Sequence, residues 1–169
     1  MKKLMEKVSI LSLSLILTTA FSISSAQSAM FAFYKGIPES WVELLVSLPS
    51  AGIMLMLLFN RVIEKYLTER QMIVSGLLIF SLCGLLPLLN QSYWLMFVSR
   101  LVFGMGIGLL NAKAISIVSE RYKGQERVRL LGLRGSAEVV GTALLTFGVS
   151  RLLPLGWQAA FLVYTFGLV

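Results

Sequence analysis

Apolar residues run through this chain in long blocks, broken by short polar stretches that carry most of the charge. The blocks fall at residues 8–30, 40–60, 71–90, 93–119, 128–153 and 157–169. Roughly 20 mostly apolar residues make a helix long enough to cross a membrane. Barrel strands would alternate apolar and polar positions, and these blocks do not. The pattern predicts an all-α, polytopic membrane protein built as a single transmembrane domain. Gly36-Ile37-Pro38-Glu39 leads into the second block, Asn90-Gln91-Ser92 separates the third from the fourth, and Pro154-Leu155-Gly156 precedes the last. Trp157–Val169 reaches only ~20 Å at ~1.5 Å per residue, short of a ~30 Å hydrocarbon core. It is expected to be an incomplete sixth helix, so the chain reads as a truncated product or fragment.

Composition agrees with the pattern. Of the 169 residues, 57% are hydrophobic and 14% charged, where an average soluble domain carries about 25% charged residues. A soluble fold this short has no interior able to hide so much apolar surface, so the lipid bilayer is the expected partner. The net charge is +7, but the basic residues sit in connectors between apolar blocks, which argues against nucleic acid. One side would hold Lys2, Lys3, Lys7, Arg61, Lys65, Arg70, Arg121, Lys123, Arg127, Arg129 and Arg134; the other would hold Lys35 and Arg151. Positive loops face the cytoplasm, which predicts a cytoplasmic N-terminus. Trp41, Tyr93, Trp94 and Trp157 fall at the predicted outer boundaries, where interfacial aromatics belong. Met1–Ala26 also has the layout of a signal peptide. Cleavage there would leave the orientation of the later helices unchanged.

There is no His and no Asp, and Cys83 is the single thiol. His-based triads, His metal sites and disulfides are thereby excluded. No catalytic constellation, metal or cofactor is expected. A membrane-embedded enzyme would have to rest on a pair such as Ser116 with Lys113, on one helix.

Charges within apolar blocks are costly and mark functional candidates. Arg100 lies about two turns into the fourth block, with Gly104, Gly108 and Asn111 following on one helical stripe. That stripe suits a polar cavity or a tight helix contact. Lys113 points elsewhere on the same helix, as an inner anchor or cavity residue. Glu138 lies within the fifth block, where a carboxylate must pair, protonate or meet water. Arg134, one turn before it, is the simple partner. Gly132, Gly135, Gly141 and Gly148 predict close approach of this helix to another. Hydroxyls of the first block, among them Ser9, Ser12, Thr18 and Ser22, allow close packing or line a wet cavity.

These residues resemble the N-terminal six-helix half of a bacterial major facilitator superfamily transporter. The family's signature between helices 2 and 3 is Gly-x-x-x-Asp-Arg/Lys-x-Gly-x-Arg/Lys-Arg/Lys. Here Asn60 and Leu67 stand for the glycines, Glu64 for the acid, and Lys65 and Arg70 match. Glu69 replaces a basic residue. Arg100-Leu101-Val102-Phe103-Gly104-Met105-Gly106 is similar to Arg-x-x-Gln-Gly-x-Gly of helix 4, with Phe103 in place of Gln. Gly132 and Gly141 have the spacing of the first glycines in the drug–proton antiporter signature, whose Gly-Pro element is absent at Leu145-Thr146. Gly156-Trp157-Gln158-Ala159-Ala160-Phe161 resembles the entry to helix 6, and Val42–Ser50 resembles helix 2 of bacterial members.

The resemblance implies secondary transport by alternating access between two six-helix halves in the bacterial cytoplasmic membrane. It implies proton-coupled efflux of a small molecule, with Arg100 tied to proton transfer; uptake of a sugar or other solute is the alternative, and a small non-transporting scaffold is another. The candidate pathway residues are Arg100, Asn111, Glu138 and Lys113. The packing glycines are Gly104, Gly106, Gly108 and Gly141. Glu64 is expected to join a charge cluster with Arg121. The partner is a missing C-terminal half or a second copy, and residues 1–169 alone are not expected to transport.

Overall fold

The computed structural model describes residues 26–89 and 92–152, together with positions 154 and 161. Within them the chain is helical: α1 is Gln27–Phe33, α2 Glu39–Tyr66, α3 Glu69–Leu89, α4 Tyr93–Arg121 and α5 Gly124–Leu152. Helices α2 to α5 are each long and apolar enough to cross a membrane. Five complete spans and an incomplete sixth were expected; the sixth and most of the first lie outside the described residues, within which four spans are seen.

The α2–α3 corner is tighter than its sequence implies. Residues 61–66 were expected in a loop, but α2 continues through Tyr66. The family's turn glycines are replaced by Asn60 and Leu67, and the intervening residues contain no helix breaker. Asn60, Glu64 and Lys65 are therefore helical, and Arg70 already belongs to α3. The gap is closed by a reciprocal cap. The Thr68 amide donates to Gln71 Oε1 at 2.9 Å, and the Gln71 amide donates to Thr68 Oγ1 at 3.3 Å. Two of the orphan donors at the start of α3 are satisfied in this way. At the α4–α5 corner Gly124 adopts a φ of 57°, a left-handed conformation that costs glycine little.

Helix α4 is central. It is the most buried of the four long helices, and α5 is the least. Helix α4 packs along both α2 and α3. Lipid tails are as apolar as leucine, so this contact rests on close backbone approach rather than on hydrophobic exclusion from water. An added Cβ at Gly104 would run into the backbone of Pro49, and one at Gly52 into the backbone of Leu101. At Gly108 it would lie 2.6 Å from Met56 Cβ. Gly106 turns the other way, where an added Cβ would lie 2.8 Å from Ile79 and 3.0 Å from the Gly76 carbonyl. The glycines of α4 thus seat two different helices. Gly132, Gly135 and Gly148 of α5 correct an expectation: a Cβ there would meet nothing. These glycines face open space. Gly132 and Gly135 lie off the buried stripe of Leu130, Arg134, Gly141 and Val149.

Aromatic rings cluster at the end of the bundle where α2 and α4 begin. Tyr93 donates through its hydroxyl to the Trp41 carbonyl at 3.0 Å, and its ring stands edge-on to Tyr34 and Trp94. Burial, with Tyr93 beside it, pushes the Tyr34 phenol above its ordinary range.

Candidate functional site along the central helix

Polar side chains meet α4 at three depths. The first is Arg100, which is 3% exposed and lies about 10 Å from the start of the helix at Tyr93. Its guanidinium carbon lies 5.3 Å from the Phe103 ring centre and 4.5 Å from that of Phe161. Phe103 in turn stacks on Phe80 at 5.1 Å. A desolvated guanidinium on an aromatic face gains about 2 kcal/mol or more. Arg100 is thus held over aromatic faces rather than snorkelling to the interface.

The second depth lies near mid-helix. Asn111 of α4 and Arg134 of α5 each stand about 15 Å from the α4–α5 corner. Arg134 donates through Nη2 to Asn111 Oδ1, and through Nε to Glu138 Oε1 at 3.0 Å. The Arg134 side chain is 8% exposed and that of Glu138 28%. Thr142 caps the local backbone by donating to the Glu138 carbonyl at 2.8 Å. Arg134 is therefore more than an i,i+4 partner, because it joins two helices. Sequence reasoning paired it with Glu138 but did not connect it to Asn111. The equal depth of the two residues, counted from the α4–α5 corner, was the signal available.

The third depth is at the α2–α3 corner. Lys113 Nζ donates to Glu64 Oε1 at 3.1 Å, tying α4 to the last turn of α2. Arg121, expected beside Glu64, instead pairs with Glu69 at the start of α3, at 3.2 Å. Both acids near the α2–α3 corner are thus held by α4, each by a different cation. Ser116 donates to Glu120 at 2.6 Å while Lys113 is turned to Glu64, so no Ser–Lys dyad forms. The expected stripe also divides. Gly104 and Gly108 pack on α2, whereas Arg100 meets aromatic rings and Asn111 meets α5. Gly141 is buried on the inward stripe of α5.

A cleft of about 780 Å³ opens along the first turns of α5, lined by Gln125, Glu126, Val128, Arg129, Leu130 and Leu133. Among the described residues, no group of acids and cysteines is placed to hold a metal ion.

The sequence matches the Major Facilitator Superfamily over residues 6–169. The chain belongs to this family of membrane transporters. No curated protein matches it. As a member of the superfamily, it is a multi-pass membrane protein whose family role is transport. Within that frame its departures have physical content. Phe103, standing where the helix 4 pattern has Gln, puts a ring face beside Arg100. Glu64, standing where the helix 2–3 signature has Asp, is neutralised by Lys113 inside the bundle.

Proposed function

We propose that this chain is the N-terminal six-helix bundle of a proton-coupled exporter of small molecules in the bacterial cytoplasmic membrane, with its N-terminus in the cytoplasm. The observation that carries proton coupling is the position of Glu138. Every other glutamate in α2 to α5 lies in or near a terminal turn of its helix, whereas Glu138 lies about 21 Å into α5. A carboxylate at that depth is retained only where it pairs or exchanges a proton. It does pair, with Arg134, and its partial exposure leaves a route for the proton. Arg100, Asn111 and Lys113 complete the proposed path across α4. Efflux by antiport is supported by the glycine spacing of α5.

Alternating access needs a facing bundle, from further C-terminal sequence or from a second copy. A single bundle is then expected to exchange protons with its substrate without carrying it across a bilayer. Purified protein in weakly buffered detergent provides the test, using a panel of dyes that includes ethidium and fluorescein. Substrate is expected to release protons from the wild type and none from Glu138→Gln. Release that persists in Glu138→Gln removes Glu138 from the path, and no release with any dye rejects antiport.

A further inference from the structure

Three basic residues of α4 and α5 are each engaged with a carboxylate: Lys113 with Glu64, Arg121 with Glu69 and Arg134 with Glu138. Arg129 is different. Among the described residues it enters no ion pair, yet it stands in the wall of the cleft at the start of α5. Along that wall Gln125, Arg129 and Leu133 follow at four-residue steps and form one column on the helix. Away from the α4–α5 corner the column runs amide, guanidinium, leucine. Val128 is 69% exposed and Leu133 47%, and next to Leu133 a Cβ on Gly132 would meet nothing. A polar head is thus set in line with an open apolar surface.

We propose that the cleft at the start of α5 binds an anionic phospholipid, with its phosphate on Arg129 and Gln125 and an acyl chain along Val128, Gly132 and Leu133. A guanidinium grips phosphate oxygens through paired N–H bonds, and the Gln125 amide adds a neutral donor one turn away. The acyl chain needs no polar partner and follows the helix into the bilayer. The volume of the cleft, about 780 Å³, lies within the range of small-ligand sites, about 300–1,000 Å³. The inference does not rest on Glu138 carrying protons.

Charge favours this occupant over the alternatives. Residues 123–129 hold three cations, Lys123, Arg127 and Arg129, against one acid. That acid, Glu126, has a contact of its own. Lys123 and Arg127, like Arg129, enter no ion pair among the described residues. A basic pocket at the membrane surface draws anionic headgroups, whereas a zwitterionic head brings no net charge to it. A second copy of the chain docked through the same face would set cation against cation.

The test is native mass spectrometry of the full chain in detergent, titrated with dioleoyl phosphatidylglycerol, phosphatidylethanolamine or phosphatidylcholine. Phosphatidylglycerol is expected to bind the wild type about tenfold more tightly than either zwitterionic lipid. Arg129→Gln is expected to lose about tenfold of that affinity, the worth of one charge-assisted contact. Arg127→Gln removes the same charge from the same segment. Arg127, however, lies two residues from Arg129, roughly 200° around the helix, and does not line the cleft. It is expected to change the affinity by less than about threefold, the share of the general surface charge. Both side chains are exposed, so both variants are expected to fold. Inorganic phosphate at the same concentrations is expected to leave the lipid bound, because it gains nothing from the apolar wall. Equal losses in Arg127→Gln and Arg129→Gln would assign the binding to the charge of the whole segment and overturn the proposal. It is equally overturned by the absence of a preference for phosphatidylglycerol, by displacement with inorganic phosphate, or if Arg129→Gln dissolves a dimer and leaves lipid binding unchanged.

Discussion

Gly104 shows how much one missing side chain decides. Its Cα faces the Pro49 backbone so closely that a Cβ cannot be placed without moving a helix. Backbone cannot rotate out of the way as a flexible side chain can. Gly104→Ala is therefore expected to cost about 1–3 kcal/mol through overpacking, read as a shift in an SDS unfolding titration. Gly132→Ala, facing open space, is expected to be neutral or slightly stabilising, since it removes glycine's entropic cost within a helix. Equal effects at the two positions would contradict the packing described for α4. Gly104 stands in the apolar stretch that resembles the family's helix 4 pattern and Gly132 between Arg129 and Arg134, but neither context says which of them meets another backbone. Only the helix lying opposite does so.

At the scale of helices, α4 grips the α2–α3 corner with two ion pairs of unequal worth. Lys113 and Glu64 have side chains 11% and 29% exposed, whereas Arg121 and Glu69 are 49% and 41% exposed. Solvent screens the second pair, and exposed pairs contribute about 0.2–1 kcal/mol. The first is partly withdrawn from water, and removing one partner leaves a poorly solvated charge. Double-mutant cycles are expected to give a coupling of about 1–3 kcal/mol for Glu64 with Lys113, and less than about 1 kcal/mol for Glu69 with Arg121. The reverse order would show that burial does not govern these contacts. The sequence reading put Glu64 and Glu69 in the connector between α2 and α3 and matched Glu64 with Arg121, whereas the structure gives Glu64 to Lys113 and Arg121 to Glu69. Lys113 and Glu64 are 49 residues apart, and their meeting depends on how α2 and α4 are rotated and on the extra turn that α2 gains beyond Asn60.

At the scale of the molecule, the distribution of basic residues sets the expected orientation. In a Cys83→Ser background, Lys123→Cys is expected to react with an impermeant maleimide only after the cells are permeabilised. Lys35→Cys is expected to react in intact cells. Labelling of Lys123→Cys in intact cells would reverse the orientation. This expectation follows from charge placement alone and does not depend on how the helices pack. Packing instead decides which charges in the membrane are reachable. Arg100 is held among aromatic rings, Lys113 is spent on Glu64, and Glu138 keeps partial exposure beside Arg134.

The apolar blocks were legible because hydropathy adds up along a contiguous segment and needs no partner. The motifs around Asn60, Arg100 and Gly156 carried the resemblance to the superfamily, which the match over residues 6–169 bears out, and hydropathy was enough to predict the helices α2 to α5 and the membrane setting. It was also enough to single out Arg100, Asn111, Lys113 and Glu138 as charged or polar groups in an apolar setting. The tertiary structure decided what each of them meets. It split the Arg100–Asn111 stripe between aromatic rings, α2 and α5, turned Gly106 to α3, gave Glu64 to Lys113, and divided one guanidinium between two helices. Those outcomes depend on helix rotation and on approach distances set by glycines on different segments, quantities that no single stretch of sequence contains.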